Sequence, residues 1–191
     1  MKTQFQLYNL SEEHFTDVIN LGNLVHGDGY LFPDTLAAMH LKGIKDGLNS
    51  SFVLYHGDML VGFRITYAPN NWQLDRWCTP ELWPIATEHV AYFKCNTIHP
   101  DFQGKGLGGK LLSESMTTLK QMGAKAGLSH IWMQSPGNAS FKYFTKAGGV
   151  LIKTHPRRWH EDEALQDYVC IICGEDCFCN ASEMMLEFDK E

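Results

Sequence analysis

The spacing of apolar residues changes period several times along the chain, and each change marks an element. Over residues 5–10 apolar and polar positions alternate, the period of a half-buried strand. Ser11-Glu12-Glu13-His14 then offers a helix N-cap with acids in its first turn, and Phe15, Val18, Ile19 and Leu24 continue an apolar stripe. Gly27-Asp28-Gly29-Tyr30-Leu31-Phe32-Pro33 breaks that helix, and Asp34 or Thr35 can cap a second one running through Leu36, Met39, Leu41 and Ile44. Residues 51–55 and 59–67 are β-rich runs around His56-Gly57-Asp58, which predicts a tight hairpin. Residues 88–98 are nearly continuously apolar, as in a strand covered on both faces. Leu112, Met116, Leu119 and Met122 recur at helical spacing, with Gly123 as the stop. A strand over residues 131–134, a helix from Asn138, a strand over 150–154 and a final strand near 168–172 complete an α/β order.

Length and composition narrow the class. The 191 residues, 44% of them hydrophobic, suffice for one cored domain with an appendage, and no apolar run reaches membrane length. Met1-Lys2-Thr3-Gln4-Phe5-Gln6 lacks a signal-peptide core, so a cytoplasmic location is expected, with no membrane partner. Sixteen Lys and Arg against 22 Asp and Glu give a net charge of -6, which argues against a nucleic-acid partner.

The chemistry concentrates where the long apolar strand ends. Gln103-Gly104-Lys105-Gly106-Leu107-Gly108-Gly109 separates that strand from an amphipathic helix, and a glycine-rich turn opening a helix aims unpaired N–H groups at an anion. Three phosphate signatures can be laid on it. Gly104-x-Gly106-x-x-Gly109 matches a dinucleotide fingerprint, but the following strand, Ser129-His130-Ile131-Trp132-Met133-Gln134-Ser135, has no acid for a ribose. Gly104-x-x-x-x-Gly109-Lys110 nearly makes a nucleotide P-loop, but Leu111 stands where a magnesium-binding hydroxyl belongs. Gln103-x-x-Gly106-x-Gly108, preceded by Ile98-His99-Pro100, departs from nothing.

With that third pattern, and with Asn138-Ala139-Ser140-Phe141-Lys142-Tyr143-Phe144-Thr145-Lys146-Ala147-Gly148-Gly149 downstream, the chain resembles the GNAT superfamily of acyl-CoA-dependent N-acetyltransferases. The resemblance covers roughly the first 155 residues. It implies a mixed central sheet flanked by helices, splayed to admit acetyl-CoA, over residues 1–160. Residues 161–191 are left as a Cys-rich C-terminal appendage carrying the last strand. It implies a pyrophosphate on the backbone of Gln103, Gly104, Lys105, Gly106, Leu107 and Gly108, and a thioester along Asn96, Thr97 and Ile98, with Asn138 and Phe144 also on the cofactor. Direct attack by an amine needs a proton acceptor, because an ammonium has no lone pair and a Lys-type amine has a pKa of about 10.4. Glu88 and His89, at the start of the strand, are the candidates.

The family commonly carries a Tyr four residues before the helix-ending Gly, where its hydroxyl protonates the departing thiolate. Here that residue is Phe144. Tyr143 is adjacent, one helical step and about 100° away; either the helix begins differently and Tyr143 is the catalytic acid that reaches the sulfur, or the thiolate leaves without a protein acid. Two classes therefore stay open: an N-acetyltransferase acting on a small-molecule or peptide amine, and a non-catalytic acyl-CoA-binding or zinc-stabilised interaction module. An oligomer of identical chains is compatible with either.

Residues 69–84 form a long loop rich in Pro, Asn and Trp. Trp72, Trp77, Trp83 and Tyr30, interspersed with Asp28, Asp75 and Glu81, read as an aromatic and acidic mouth for an ammonium group, or as loop anchors. Four of the six cysteines cluster as Cys170, Cys173, Cys177 and Cys179, with Gly174 relieving the turn. In a cytosolic protein this reads as a structural zinc site before it reads as disulfides.

Overall fold

The computed structural model describes residues 5–160 and 169–189. The expected boundary after residue 160 falls at the edge of residues 161–168, outside the described residues. Strand β1 (Phe5–Asn9) leads to helix α1 (Phe15–His26) and helix α2 (Pro33–Lys42). A two-residue ladder of β2 (Ile44–Lys45) and β3 (Leu48–Asn49) precedes the hairpin β4 (Phe52–His56) and β5 (Met59–Tyr67). Then come β6 (Val90–Ile98), α3 (Leu107–Gln121), β7 (Ala126–Trp132), α4 (Ala139–Lys146), β8 (Val150–His155) and β9 (Ala181–Glu187). Among the described residues no helix is long and apolar enough to cross a membrane.

Seven strands form one mixed sheet in the order β1-β4-β5-β6-β7-β9-β8, and the expected α/β architecture is present. The last strand is not where periodicity put it. Cys170 makes only an isolated bridge with Gly174, Tyr168 lies outside the described residues, and the sheet's final member is β9, inserted between β7 and β8. Glu183 in the middle of β9 disguises it, since a carboxylate at a fully buried strand position contradicts the apolar pattern. β7 starts at Ala126, earlier than the expected Ile131. Gly127 weakens the strand pattern there, but a Cβ at that position would fall 2.2 Å from the Phe93 ring, so only glycine leaves room for the ring between the two strands.

Alternation along the strands sorts the core into two faces. Ala91, Phe93, Ile131, Met184 and Leu186 pack with Leu112, Leu119 and Phe144 under α3 and α4. Val53, Phe63, Ile65 and Tyr67 pack under α1 and α2 with Val18, Leu21 and Leu36. The loop of residues 69–84 extends this second layer, placing Trp83 over Val90, Leu128 and Met185.

Two irregularities position the site. Ile65 pairs with Cys95 but Thr66 pairs with Phe93, so Lys94 is an extra residue that bulges β6. Among the described residues β6 and β7 are the only parallel pair, and they pair only through Val90, Ala91 and Tyr92 with Ala126, Gly127 and Leu128. Beyond Tyr92 the two strands diverge, and a cleft opens through the sheet.

Candidate active site

The glycine turn sits at the far end of β6. The His99 ring accepts from the Asp101 N–H and shapes a short turn over Pro100–Phe102, and Gln103 donates through its side chain to Ile98 O at 3.1 Å. Gly104 and Gly106 have φ of +73° and +77°, and a Cβ at either would meet nothing within 4 Å. Backbone freedom, not crowding, demands glycine here, and the open space is where an anion can approach. Gly106 caps α3, so the N–H groups of Leu107, Gly108 and Gly109 have no partner within the helix. The Leu107 side chain is buried in the core, and Lys105 folds back over Phe102 to donate to Asp101 O, so both can offer the turn only their backbone.

Of the three residues expected along the thioester, Thr97 turns its hydroxyl to His26 Nε2 at 2.9 Å on the α1 face. Asn96 and Ile98 face α3, and a Cβ on Gly108 would lie 3.0 Å from Asn96 Nδ2. Asn96 Oδ1 is buried without a hydrogen-bond partner, and so is Asn138 Oδ1, whose residue starts α4 in left-handed conformation. Buried polar atoms are rarely left unpaired in a native fold, so an orphaned acceptor on the cleft wall at Asn96, and a second at the start of α4, mark places for a ligand with N–H or O–H donors. Together with the glycine turn they fit the amides and pyrophosphate of a CoA.

The cleft has a volume of about 180 Å³ and is lined in part by Tyr30, Arg64, Tyr92, Asn96, Ser129 and Tyr143. Phe144, expected on the cofactor, is instead fully buried, edge-on to Phe93 with ring centres 5.8 Å apart. Tyr143 is the residue on the cleft. Its hydroxyl oxygen accepts from Arg64 Nη1 at 2.7 Å, which turns the phenolic proton away from Arg64. Arg64 itself is 1% exposed, lies over the Phe93 ring at 4.4 Å, and among the described residues has no carboxylate within ion-pair distance. A desolvated guanidinium without a counter-ion is costly, and it makes this wall of the cleft receptive to negative charge.

A second cavity adjoins on the α2 face. It shares Thr35, Met39, Tyr92, Lys94 and Arg158 with the cleft and continues to Lys42, Tyr67, Trp72 and Asp75. Glu88 and His89 reach neither cavity. They sit in the short turn before β6, ahead of the strand residues that line the cavities. The polar group that does stand where the strands part is Tyr92, whose hydroxyl is 3.0 Å from His130 Nδ1. His130 Nε2 lies 2.7 Å from Trp77 O, and a carbonyl can only accept. His130 is therefore the Nε2–H tautomer, and its Nδ1 receives the Tyr92 proton. Burial pushes His130 down to about 4, so the ring is neutral near pH 7. Sequence reasoning missed this pair because Tyr92 and His130 lie 38 residues apart and match no motif.

The aromatic mouth is only partly assembled. Trp72 lines the second cavity, but Trp83 is a buried anchor whose Nε1 donates to Glu183, and Trp77 is already stacked by Arg76 and Arg158. Asp28 and Glu81 line neither cavity, and Asp75 is bridged to Arg158 at 3.0 Å. His130, His155 and Glu183 lie close enough to suggest a metal, but Glu183 accepts from Thr79, Trp83 and His155, and both His130 nitrogens are engaged. They are a structural network. Cys170, Cys177 and Cys179 stand on one wall of the cleft, with Cys173 beside them.

Comparison with known proteins agrees with this geometry. The acetyltransferase (GNAT) family model matches residues 7–148. Among solved structures, yncA of Salmonella typhimurium, a putative acetyltransferase with its cofactor acetyl-CoA, superposes with a TM-score of 0.66 at 16% identity over 98% of this chain and 95% of that one. The ribosomal-protein-S18-alanine N-acetyltransferase of Escherichia coli does so with a TM-score of 0.66 at 13% identity, covering 98% and 96%. Ard1 of Thermoplasma volcanium reaches 0.68 at 12% identity, covering 97% and 99%. No curated protein sequence matches. With a family model spanning most of the chain, and a sheet that parts beside the glycine turn, the chain belongs to the GNAT acetyltransferase family.

Proposed function

We propose that the protein transfers the acetyl group of acetyl-CoA to a primary amine, of a small molecule or a peptide, by direct attack. The observation that carries this reading is the Tyr143 hydroxyl on the cleft, held by buried Arg64 at 2.7 Å, because it restores the proton donor that Phe144 lacks. Acetyl-CoA supplies an activated thioester carbonyl when bound.

The chain's residues do the rest. The turn from Gln103 to Gly108 and the N-terminus of α3 bind the pyrophosphate, and Asn96 and Asn138 accept hydrogen bonds from the arm that enters the cleft. The amine approaches from the cavity between α2 and Trp72 and meets the carbonyl beside Tyr92. As the N–C bond forms, Tyr92 Oη takes an amine proton and passes its own to His130 Nδ1, which, lowered to about 4 by burial, holds it only in transit and releases it to solvent. As the C–S bond breaks, Tyr143 donates its phenolic proton to sulfur, and the Arg64 charge steadies the negative charge that develops there. Glu88 and His89 have no place in this sequence of steps.

The Escherichia coli neighbour, a ribosomal-protein-S18-alanine N-acetyltransferase, supports an amine as acceptor. Lys42, Lys94 and Arg158 beside Asp75 give the acceptor cavity mixed charge, so a bare polyamine is not favoured over an amine that also carries a polar or anionic group. The test is a panel of amino acids, peptide N-termini, polyamines and aminoglycosides incubated with acetyl-CoA, reading thiol release and the mass of the product. Amine-dependent release is expected. Binding of acetyl-CoA without release for any amine would favour the non-catalytic alternative.

A further inference from the structure

We infer that Cys170, Cys173, Cys177 and Cys179 hold one zinc ion as a tetrathiolate, and that this ion fixes one wall of the cleft. The four sulfurs all lie within 4.8 Å of one another, with Cys173 and Cys179 at 3.3 Å and Cys170 and Cys179 at 3.9 Å. Tetrahedral zinc with Zn–S bonds of about 2.3 Å needs sulfurs roughly 3.8 Å apart, so the ligands surround a point that the ion can take with small adjustments.

The backbone around them is shaped as a metal knuckle. Cys170 and Gly174 exchange two backbone hydrogen bonds of 3.2 and 2.9 Å, and Gly174 has φ of +75°, a conformation glycine takes without strain. Inside that turn the N–H groups of Ile172 and Cys173 point at Cys170 Sγ, and the Cys179 N–H points at Cys177 Sγ. Amide donors aimed at sulfur are what a cluster of thiolates requires, because each carries charge into a largely buried setting. Trp132 and Trp159 cover the cluster, and Asp176 ties it to Arg157 at 2.8 Å. Four protein ligands close the coordination sphere, so the ion is structural and takes no part in transfer.

The knuckle is pressed onto the turn after α1. A Cβ at Gly27, where φ is +110°, would lie 2.5 Å from Val169 O, and Val169 N donates to Asp28 O. Through this contact the ion steadies the segment that carries Tyr30 into the cleft. The inference does not depend on the acetyl-transfer reading, since it is read from metal content and spectra.

Elemental analysis of purified full-length protein should give one zinc per chain. Removing it with a chelator should lower the melting temperature and free four thiols to a thiol reagent, while Cys78, pushed up to about 12 by burial, and Cys95, also raised by burial, react slowly. Cobalt substituted into the stripped protein should show the charge-transfer and ligand-field bands of a tetrahedral tetrathiolate. Cys173→Ser and Cys177→Ser should each lose the metal; should they fail to fold, the wild-type cobalt spectrum decides alone. Protein that carries no zinc and gives no such bands, or whose mass is lower by two hydrogens for each disulfide formed, overturns the inference.

Discussion

Tyr143 and Phe144 are neighbours on α4 with opposite duties, and the difference can be measured. Tyr143→Phe removes a proton donor and one hydrogen bond from Arg64, so kcat should fall roughly 10²-fold while the affinity for acetyl-CoA stays within a few-fold. Phe144→Ala empties a core position under Phe93, and thermal or urea unfolding should show a loss of roughly 3–5 kcal/mol. If Tyr143→Phe instead left kcat unchanged, the hydroxyl would be a structural partner of Arg64 and nothing more. Gly106 makes the same kind of distinction at the cofactor turn. Gly106→Val has space for its side chain but must hold φ near +77°, and the branched group would stand in the anion's path. Calorimetry should show acetyl-CoA binding lost with the fold retained; unchanged affinity would remove the turn from the pyrophosphate site.

At the scale of elements, local chemistry was readable and distant pairing was not. The glycine turn, the hairpin of β4 and β5 and the start of α4 each rest on a few consecutive residues whose conformational needs are visible in the chain. Tyr143 was visible as a residue, but its place on the cleft depends on Phe144 being drawn into the core by Phe93, a contact across 51 positions. β9 was hidden because Glu183 is satisfied, among the described residues, by Thr79, Trp83 and His155, none of which is near it in sequence. Burial alone would raise that carboxyl, but the hydrogen bonds from His155, Thr79 and Trp83 outweigh burial and hold it below the ordinary carboxylate range. The same network pins the loop of residues 69–84 to the sheet. Glu183→Gln should therefore cost roughly 1–3 kcal/mol and raise proteolytic cutting within that loop. An unchanged digestion pattern would mean that Trp72, through Val90 O, holds the loop by itself.

For the molecule as a whole, two half-buried histidines, desolvated by the side chains around them, tie stability to pH. Burial lowers both His26 and His130 to about 4 from an ordinary value near 6.5. Between those values the unfolded chain binds protons that the folded chain refuses, so stability is fully present above about pH 6.5 and is lost as pH falls toward 4. Urea midpoints should decline across that window, and His26→Asn should flatten the decline. A midpoint constant from pH 7 to 4.5 would contradict the burial of both rings. Stability, cofactor turn and proton relay all converge on the cleft where β6 leaves β7, and the central claim is that an amine is acetylated there. The most direct measurement uses acetyl-CoA labelled with carbon-13 at the carbonyl, following the label by NMR in wild type and Tyr143→Phe with the best amine of the panel. The account predicts that label appears as an amide on the amine, with the variant roughly 10²-fold slower. Label that appears only as free acetate, or that transfers equally fast in the variant, would contradict it.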